Sequence, residues 1–324
     1  MLARAVFAVV RHAEHLAVKL GEPYGTLILT LSVTSIEVMV IAGVMLIGDH
    51  NPTFARDTLF AVMMIVLNGM VGLTLLLGGI RYREQEFNLQ GANAYLAAIL
   101  PLAVFAFVMP SFTRSTIGPT LSTVQSAFLI VMAIALYAIF LGIQTVRHRT
   151  YFMVPASATT VSVRAHFHKA PAGLSRPVFY HAIFLIANLI PVVYLSKKLA
   201  VPIDYAIEGM GAPVALGGFL VAAMVLSPEG VGAVRAALAN QLQRSVNIYL
   251  GSVLATIGLS IPAVLVIALL TNTTVVLGLG YVEMIMLLLT LVLCILTFGS
   301  GRTNVLHGAV HFLLFVAYVV LIFD

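Results

Sequence analysis

The sequence has few charged residues, no tryptophan and a single cysteine. Asp, Glu, Lys and Arg make up only 9% of its 324 residues, against about 25% in an ordinary soluble domain. With 61% hydrophobic residues, this scarcity excludes a water-soluble fold and indicates a polytopic membrane protein in contact with lipid. The lone Cys294 excludes a disulfide framework and a thiolate metal site, and no cofactor is predicted. The net charge of +5 is typical of cytoplasmic loops, so we expect no nucleic-acid partner.

Nine apolar runs are long enough to cross a membrane. Residues 1–20 are amphipathic and indicate the end of a further helix. The sequence therefore predicts an all-α polytopic membrane protein with about ten transmembrane helices, the first one truncated. The runs are 25–48, 57–80, 92–112, 122–146, 177–199, 210–238, 245–271, 280–299 and 304–323.

The longest loop, 147–176, divides the predicted helices into two sets of nearly equal size. Lys and Arg counted on alternating sides number eleven on the side of this loop and five on the other, with Arg11 left unassigned within the first helix. The positive-inside rule then places the loop in the cytoplasm and the C-terminus outside. We expect 1–146 and 177–324 to be two inverted five-helix repeats joined by a cytoplasmic linker.

Two glutamates lie where an ionised group is costly. Glu37 is near the middle of its predicted span, and Glu229 follows the apolar run 212–226. Each is preceded by a serine two residues earlier and followed by an arginine, Arg56 or Arg244, that opens the next span. Because the two spans are predicted to run in opposite directions, the pattern is typical of secondary transporters with inverted repeats and broken helices. Pro228 predicts a helix break beside Glu229.

The two carboxylates predict a hard, all-oxygen cation site. Calcium prefers six to eight oxygen ligands, so neighbouring hydroxyls and amides are candidates to complete its coordination. One divalent cation or two protons neutralise the pair equally, which predicts antiport by competition. A monovalent cation with one proton also balances the charge, so Na⁺ or K⁺ exchange stays open. The candidate coordinating residues beside Glu37 and Glu229 are Thr34, Ser35, Asn68, Ser227, Ser252 and Thr256.

Acidic residues near the ends of the spans are candidates for gating or for a proton path. At the outer end of the Glu37 helix, Asp57 together with Asp49 and His50 is a candidate ion vestibule. A solvated helix end is the alternative. The four candidates are Glu22, Asp57, Glu208 and Glu283.

The nine histidines suggest one rival class, a membrane di-iron enzyme with histidine boxes. His307 and His311 have the i, i+4 spacing that places two imidazoles on one helix face. Such enzymes need about eight clustered histidines, however, and a single His-x-x-x-His does not meet that pattern. A cation channel is a further alternative, from which an antiporter differs by its proton counterflow.

Several blocks of sequence resemble the bacterial ChaA-type calcium/proton antiporters of the cation/Ca²⁺ exchanger superfamily. The resemblance implies an inner-membrane antiporter that exports Ca²⁺, and in some members Na⁺ or K⁺, against protons. It also implies an extra first helix before two inverted five-helix repeats, with Glu37 and Glu229 as the paired glutamates. The blocks are residues 21–32 (GEPYGTLILTLS), 56–59 (RDTL), 227–230 (SPEG), 251–256 (GSVLAT) and 301–306 (GRTNVL).

The chain departs from this family in three respects. Val33-Thr34 and Val225-Leu226 stand where the wider superfamily has Gly-Asn, so amide ligation at those positions is absent. Relative to the family, the chain begins partway through the second helix. The central loop is basic rather than acidic, because no Asp or Glu occurs between Glu86 and Asp204.

Overall fold

The structure is a computed structural model that describes residues 2–20, 24–45, 52–154, 177–205, 209 and 211–323. In these ranges the chain is almost entirely helical. The α-helices are α1 Leu2–Leu20, α2 Tyr24–Met45, α3 Phe54–Met64, α4 Val71–Tyr82, α5 Leu89–Ala103, α6 Thr123–Gly142, α7 Val178–Asp204, α8 Val214–Leu238, α9 Leu242–Ala255, α10 Ile261–Thr271, α11 Tyr281–Phe298 and α12 Val305–Leu321.

Short helices of other types extend or join these α-helices. Two of the π-helices join α3 to α4 and α9 to α10 without a break, so each pair forms one long crossing. The π-helices are Ile65–Met70, Val104–Val108, Ile143–Arg147 and Thr256–Ser260, and the 3₁₀-helices are Met109–Ser111 and Arg149–Phe152.

The predicted membrane spans are confirmed. Among the described residues, seven helices are long and apolar enough to cross a membrane, and two shorter apolar helices accompany them. Each of the nine coincides with one apolar run of the sequence, because backbone groups in hydrocarbon must find their hydrogen bonds within a helix. The amphipathic N-terminal segment forms α1, which packs against α2 and α7.

The helices of the described ranges divide into two sets of five in the same order, with α3–α4 and α9–α10 each counted as one. α1, α2, α3–α4, α5 and α6 form the first set, and α7, α8, α9–α10, α11 and α12 form the second. In both sets the second crossing carries a buried glutamate and the third is interrupted by a π-helix. Because five is odd, equivalent helices of the two sets cross in opposite directions.

The two π-interrupted crossings lie at the centre of the bundle. Residues 59–68 and 249–258 are all buried, and the first of these crossings packs against α8. A π-turn places one extra residue in the helix and re-aims the side chains around it, which is why π-bulges are frequent at functional sites.

A short antiparallel ladder joins the two sets at one end of the bundle. Strands β1 (Glu84–Glu86) and β2 (Arg302–Asn304) pair Glu84 with Asn304, and an Arg302–Glu86 ion pair of 2.7 Å lies beside them. This ladder ties the end of α4 to the start of α12. The ladder thereby holds α12 near the π-helix Ile65–Met70, which α12 contacts.

The helix break predicted at Pro228 is wrong. α8 continues from Val214 to Leu238 through the proline. Pro228 has no N–H to donate to the carbonyl of Met224, but the hydroxyl of Ser227 donates to that carbonyl at 2.8 Å. The orphaned acceptor is therefore satisfied locally, and the irregular backbone lies instead in the π-helices of the next crossings.

Candidate functional site

The two glutamates lie together inside the bundle. Glu37 of α2 and Glu229 of α8 are each only 4% exposed, and their helices pack against each other. Both carboxyl groups accept hydrogen bonds from residues one helical turn apart, Ser252 and Thr256. A buried pair of this kind is stable only when protons, a cation or hydrogen-bond donors compensate it.

One face of the α9–α10 crossing supplies hydrogen-bond donors to both carboxyl groups. The hydroxyl of Ser252 donates to Glu229 Oε2 at 2.7 Å. The hydroxyls of Thr256 and Ser260 donate to Glu37 Oε2 at 2.9 and 3.0 Å. The three residues are four positions apart, which aligns them along one side of a helix. A single helix face of the second repeat therefore holds the glutamates of both repeats.

Ser260 was not among the residues identified from the sequence. It belongs to the π-helix Thr256–Ser260, and the π-turn brings its hydroxyl onto the same carboxylate oxygen as Thr256. The signal was present in the sequence, since Ser252, Thr256 and Ser260 recur every four residues in an otherwise apolar span.

One oxygen of Glu37 has no hydrogen-bond partner among the described residues. Both donors converge on Oε2, while Oε1 is fully buried and unpaired. An unsatisfied buried polar atom costs about 1–3 kcal/mol, and more if it is charged. The oxygen is thus placed to bind a proton or a cation.

The serines that precede the glutamates donate hydrogen bonds within their own helices. Ser35 donates to the carbonyl of Leu31 at 2.7 Å, and Ser227 donates to the carbonyl of Met224. Thr34 is buried in α2. The structure therefore does not join the hydroxyls of Ser35 and Ser227 to the carboxyl groups.

Asn68 is buried in the other π-helix, where its side chain points toward α11 and α12. Its amide nitrogen donates to Thr290 Oγ1 at 2.8 Å, and its amide oxygen lies 3.2 Å from His311 Nδ1. Asn68 and Thr256 each lie twelve residues after an arginine, Arg56 or Arg244, and each belongs to a π-helix, but the contacts of their side chains differ.

Asp57 and Glu283 line one cavity of about 370 Å³, which we call the vestibule. Asp57 forms an ion pair with Arg56 at 2.7 Å and accepts a hydrogen bond from Thr53 at 2.9 Å. Tyr318 lines the same cavity. Two acidic side chains from different repeats thus meet in a partly polar cavity.

The other two gating candidates, Glu22 and Glu208, lie outside the described residues, as do Asp49 and His50. Of the predicted linker, residues 155–176 also lie outside them.

The histidines that the structure describes do not form the boxes of a di-iron enzyme. His12 and His15 of α1 lie near His181 of α7, with 3.1 Å between Nδ1 atoms of His12 and His181. In the described part of the chain, no three His, Cys, Asp or Glu side chains are placed to share a metal ion.

Comparison with known proteins places the chain in one family. The model of the family described as sodium/calcium exchanger protein matches residues 1–146 and 180–323. The sodium-potassium/proton antiporter ChaA of Escherichia coli (strain K12) is 44% identical over 98% of this chain and 86% of its own length. The Ca²⁺/H⁺ antiporter ChaA of Bacillus subtilis (strain 168) is 24% identical over 87% of this chain and 83% of its own length.

Solved structures show the same fold. The structure of native YfkE superposes with a TM-score of 0.73 at 19% identity, covering 99% of this chain and 89% of that one. The H⁺/Ca²⁺ exchanger CAX gives a TM-score of 0.69 at 14% identity, covering 98% and 79%. These matches, together with the ordered helix sets, show that the chain belongs to the sodium/calcium exchanger protein family and is a multi-pass membrane cation antiporter with two inverted five-helix repeats.

Proposed function

We propose that this chain exports Ca²⁺ in exchange for protons by alternating access to a site formed by Glu37 and Glu229. The observation that carries this proposal is the buried Oε1 of Glu37, which has no hydrogen-bond partner among the described residues. A fixed structural carboxylate would have both oxygens satisfied. An oxygen that must alternate between a proton and a cation is instead left without a fixed hydrogen-bond donor.

Charge balance makes binding of the two substrates mutually exclusive. One Ca²⁺ or two protons neutralise the Glu37–Glu229 pair, whereas both together leave a buried excess of positive charge. From the side on which Ca²⁺ enters, the cation displaces the protons. From the other side protons displace Ca²⁺, and the proton gradient supplies the work.

The ligands available in this conformation are all oxygens. Two carboxylates contribute up to four, and the hydroxyls of Ser252, Thr256 and Ser260 contribute three. This total lies within the six to eight that Ca²⁺ prefers. Each hydroxyl can rotate its proton away and present a lone pair to a cation. We do not place the hydroxyls of Ser35 and Ser227 among the ligands of this conformation, because they are bonded within their own helices.

Exchange of Na⁺ or K⁺ for protons on the same site is the second candidate. It is favoured by the 44% identity to a relative named a sodium-potassium/proton antiporter. One monovalent cation and one proton also neutralise two carboxylates. The two candidates differ in the transported ion and share Glu37 and Glu229.

We further propose that the vestibule of Asp57 and Glu283 is the ion entrance on the side opposite the 147–176 linker. Its acidic side chains attract cations, and Arg56 holds Asp57 in place. By the positive-inside rule the linker is cytoplasmic and the C-terminus periplasmic, in a bacterial inner membrane. The repeats are 1–146 and 177–324.

Transport in inside-out membrane vesicles tests the proposal. A dye reports the pH gradient while Ca²⁺, Na⁺ or K⁺ is added at several pH values, and isotope uptake is followed in parallel. We expect Ca²⁺ to dissipate the gradient in the unmodified protein. Glu37→Gln and Glu229→Gln should each abolish exchange, because a neutral amide cannot alternate between proton and cation. Asp57→Asn should slow exchange without abolishing it.

Glu86→Gln is the matched control, since Glu86 pairs with Arg302 in the strand ladder away from the site. It should transport normally. Proton-coupled cation uptake at the normal rate by either Glu37→Gln or Glu229→Gln would refute the two-glutamate site. Dissipation by Na⁺ or K⁺ but not by Ca²⁺ would instead select the second candidate.

A further inference from the structure

A second buried polar cluster connects Asn68 to α11 and α12. It consists of Asn68, Thr290, Thr297 and His311, all with 0% exposure. We call it the Asn68 cluster. Four polar side chains without access to water are retained in an apolar bundle only if each finds its partners.

The hydrogen bonds of the cluster form a chain with one direction. Thr290 donates its proton to the carbonyl of Met286 at 2.7 Å, so its oxygen accepts from Asn68 Nδ2 at 2.8 Å. The amide oxygen of Asn68 is therefore turned to His311 Nδ1, 3.2 Å away, which must donate. His311 Nε2 then accepts from Thr297 Oγ1 at 3.0 Å.

The position of Asn68 in the fold makes this arrangement unexpected. The π-helix that carries it packs against the Glu229 helix α8 and against α9. Its equivalent in the second repeat, Thr256, donates directly to Glu37. By the inverted repeat, Asn68 is the residue that would face Glu229, yet both ends of its amide are bound by α11 and α12.

We propose that His311 is a positioning residue that withholds the Asn68 amide oxygen from the glutamate site in this conformation. Breaking the His311–Asn68 hydrogen bond frees that oxygen to join the ligands of the cation. His311 therefore competes with the cation for the amide oxygen of Asn68. This competition lowers the apparent affinity of the site for the cation and so favours release of the cation. This inference rests on the proposed two-glutamate function and adds a residue that acts only through Asn68.

The test compares apparent KM and maximal rate for Ca²⁺, and separately for Na⁺, in vesicles that contain the full chain. His311→Leu removes the donor and should lower the KM of the transported cation about 2- to 10-fold, the range expected for one neutral hydrogen bond. His311→Asn keeps an N–H close to the position of Nδ1 and should restore a KM near that of the unmodified protein. Asn68→Ala should raise the KM.

The double variant separates positioning from general structural support. In the Asn68→Ala background, His311→Leu should change KM no further, because His311 acts through the missing amide. Thr74→Val is the matched control: Thr74 is fully buried, and its hydroxyl bonds only to carbonyls of its own crossing. It should leave KM unchanged.

Three results would overturn the inference: an unchanged or raised KM in His311→Leu, an equal KM change in the Asn68→Ala background, or no rescue by His311→Asn. If His311→Leu does not fold, Thr297→Val serves instead, because it removes the hydrogen bond to Nε2 of His311 and so leaves the imidazole less firmly held. This variant should also lower KM, by a smaller factor. An unchanged KM there contradicts the inference too. A failure of the proposed two-glutamate function is distinguishable from these results, because Glu37→Gln and Glu229→Gln would then transport normally.

Discussion

Pro228 is tolerated next to a buried glutamate because its neighbour repairs the damage that it causes. A proline inside a helix leaves the carbonyl four residues earlier without a donor. The hydroxyl of Ser227 donates to that carbonyl, the carbonyl of Met224. At the scale of single residues, the pair Ser227-Pro228 is thus a self-satisfied unit that keeps α8 continuous and Glu229 fixed on its inner face.

Ser227→Ala should lower the free energy of unfolding by about 0.5–1.5 kcal/mol, because it removes the hydrogen bond to the partly buried carbonyl of Met224. In that background Pro228→Ala supplies a backbone N–H for the same carbonyl. Its stabilising effect should therefore be larger there than in the unmodified protein. Thermal unfolding in detergent can be followed with a maleimide fluorophore, since the single cysteine, Cys294, is buried until the chain unfolds. Equal effects of Pro228→Ala in both backgrounds would contradict the repair.

At the scale of helices, the pair α4 and α12 is held close by glycines. A Cβ built on Gly72 would lie 2.5 Å from the backbone nitrogen of Phe312, and one built on Gly308 would lie 2.8 Å from the carbonyl carbon of Leu75. Helices approach this closely only where small residues face each other. Their contact fixes α12, and with it His311, against the π-helix that carries Asn68.

Gly308→Ala should destabilise the protein and reduce its yield, because the added methyl meets backbone atoms of α4 that cannot move aside. Gly142→Ala is the matched control, since a Cβ at Gly142 meets nothing within 4 Å. Alanine has the higher helix propensity, so Gly142→Ala should be neutral or stabilising by up to about 1 kcal/mol. The same Cys294 unfolding assay compares them. A stability of Gly308→Ala equal to that of Gly142→Ala would show that α4 and α12 can separate without cost.

At the scale of the whole molecule, the positive charges predict the direction in which the chain crosses the membrane. The side of the 147–176 linker carries eleven Lys and Arg and the opposite side five. Cationic residues are retained on the cytoplasmic side. The strand ladder β1–β2 lies after α4 and before α12, on the linker side, so we predict that it too is cytoplasmic.

Single cysteines test this orientation in a Cys294→Ala background. Ile117 and Met153 are both exposed; Ile117 precedes α6 and Met153 follows it, so they lie beyond its opposite ends. In intact cells, a membrane-impermeant maleimide should label Ile117→Cys, and Met153→Cys only after the membrane is opened. The Cys294→Ala protein without an added cysteine shows the background. The reverse labelling pattern would invert the predicted topology.

The membrane spans were predictable from the sequence because the thickness of a bilayer sets the length of an apolar run. All nine predicted runs form helices within a few residues of the expected ends. The paired glutamates were also visible, since an ionised group inside hydrocarbon is costly enough to stand out in any sequence. Ser252 and Thr256 were both among the predicted coordinating residues, and the structure joins both to the carboxyl groups.

The neighbours of each polar group were not predictable. The four-residue spacing marks Ser260 as a polar residue on the face of Ser252 and Thr256, but it does not reveal the π-turn that places its hydroxyl on Glu37. The chain of contacts from Thr297 through His311 to Asn68 joins residues separated by up to 243 positions. The helix break expected at Pro228 was wrong because a serine hydroxyl satisfies the freed carbonyl.

The sequence by itself determined that this chain crosses a membrane many times and that its halves are related, and it predicted two carboxyl groups inside apolar spans. The spans and the two costly carboxyl groups follow from the free energy of transferring residues into hydrocarbon, which depends on local sequence alone. The relation between the halves follows from the pattern of residues that they share. Only the tertiary structure decided which hydroxyls hold each carboxyl group, which oxygen of Glu37 is unpaired, and that Asn68 is bound by His311. Those contacts depend on the rotation of each helix and on close packing. A single π-turn rotates the side chains that follow it and so changes the residues that each of them contacts.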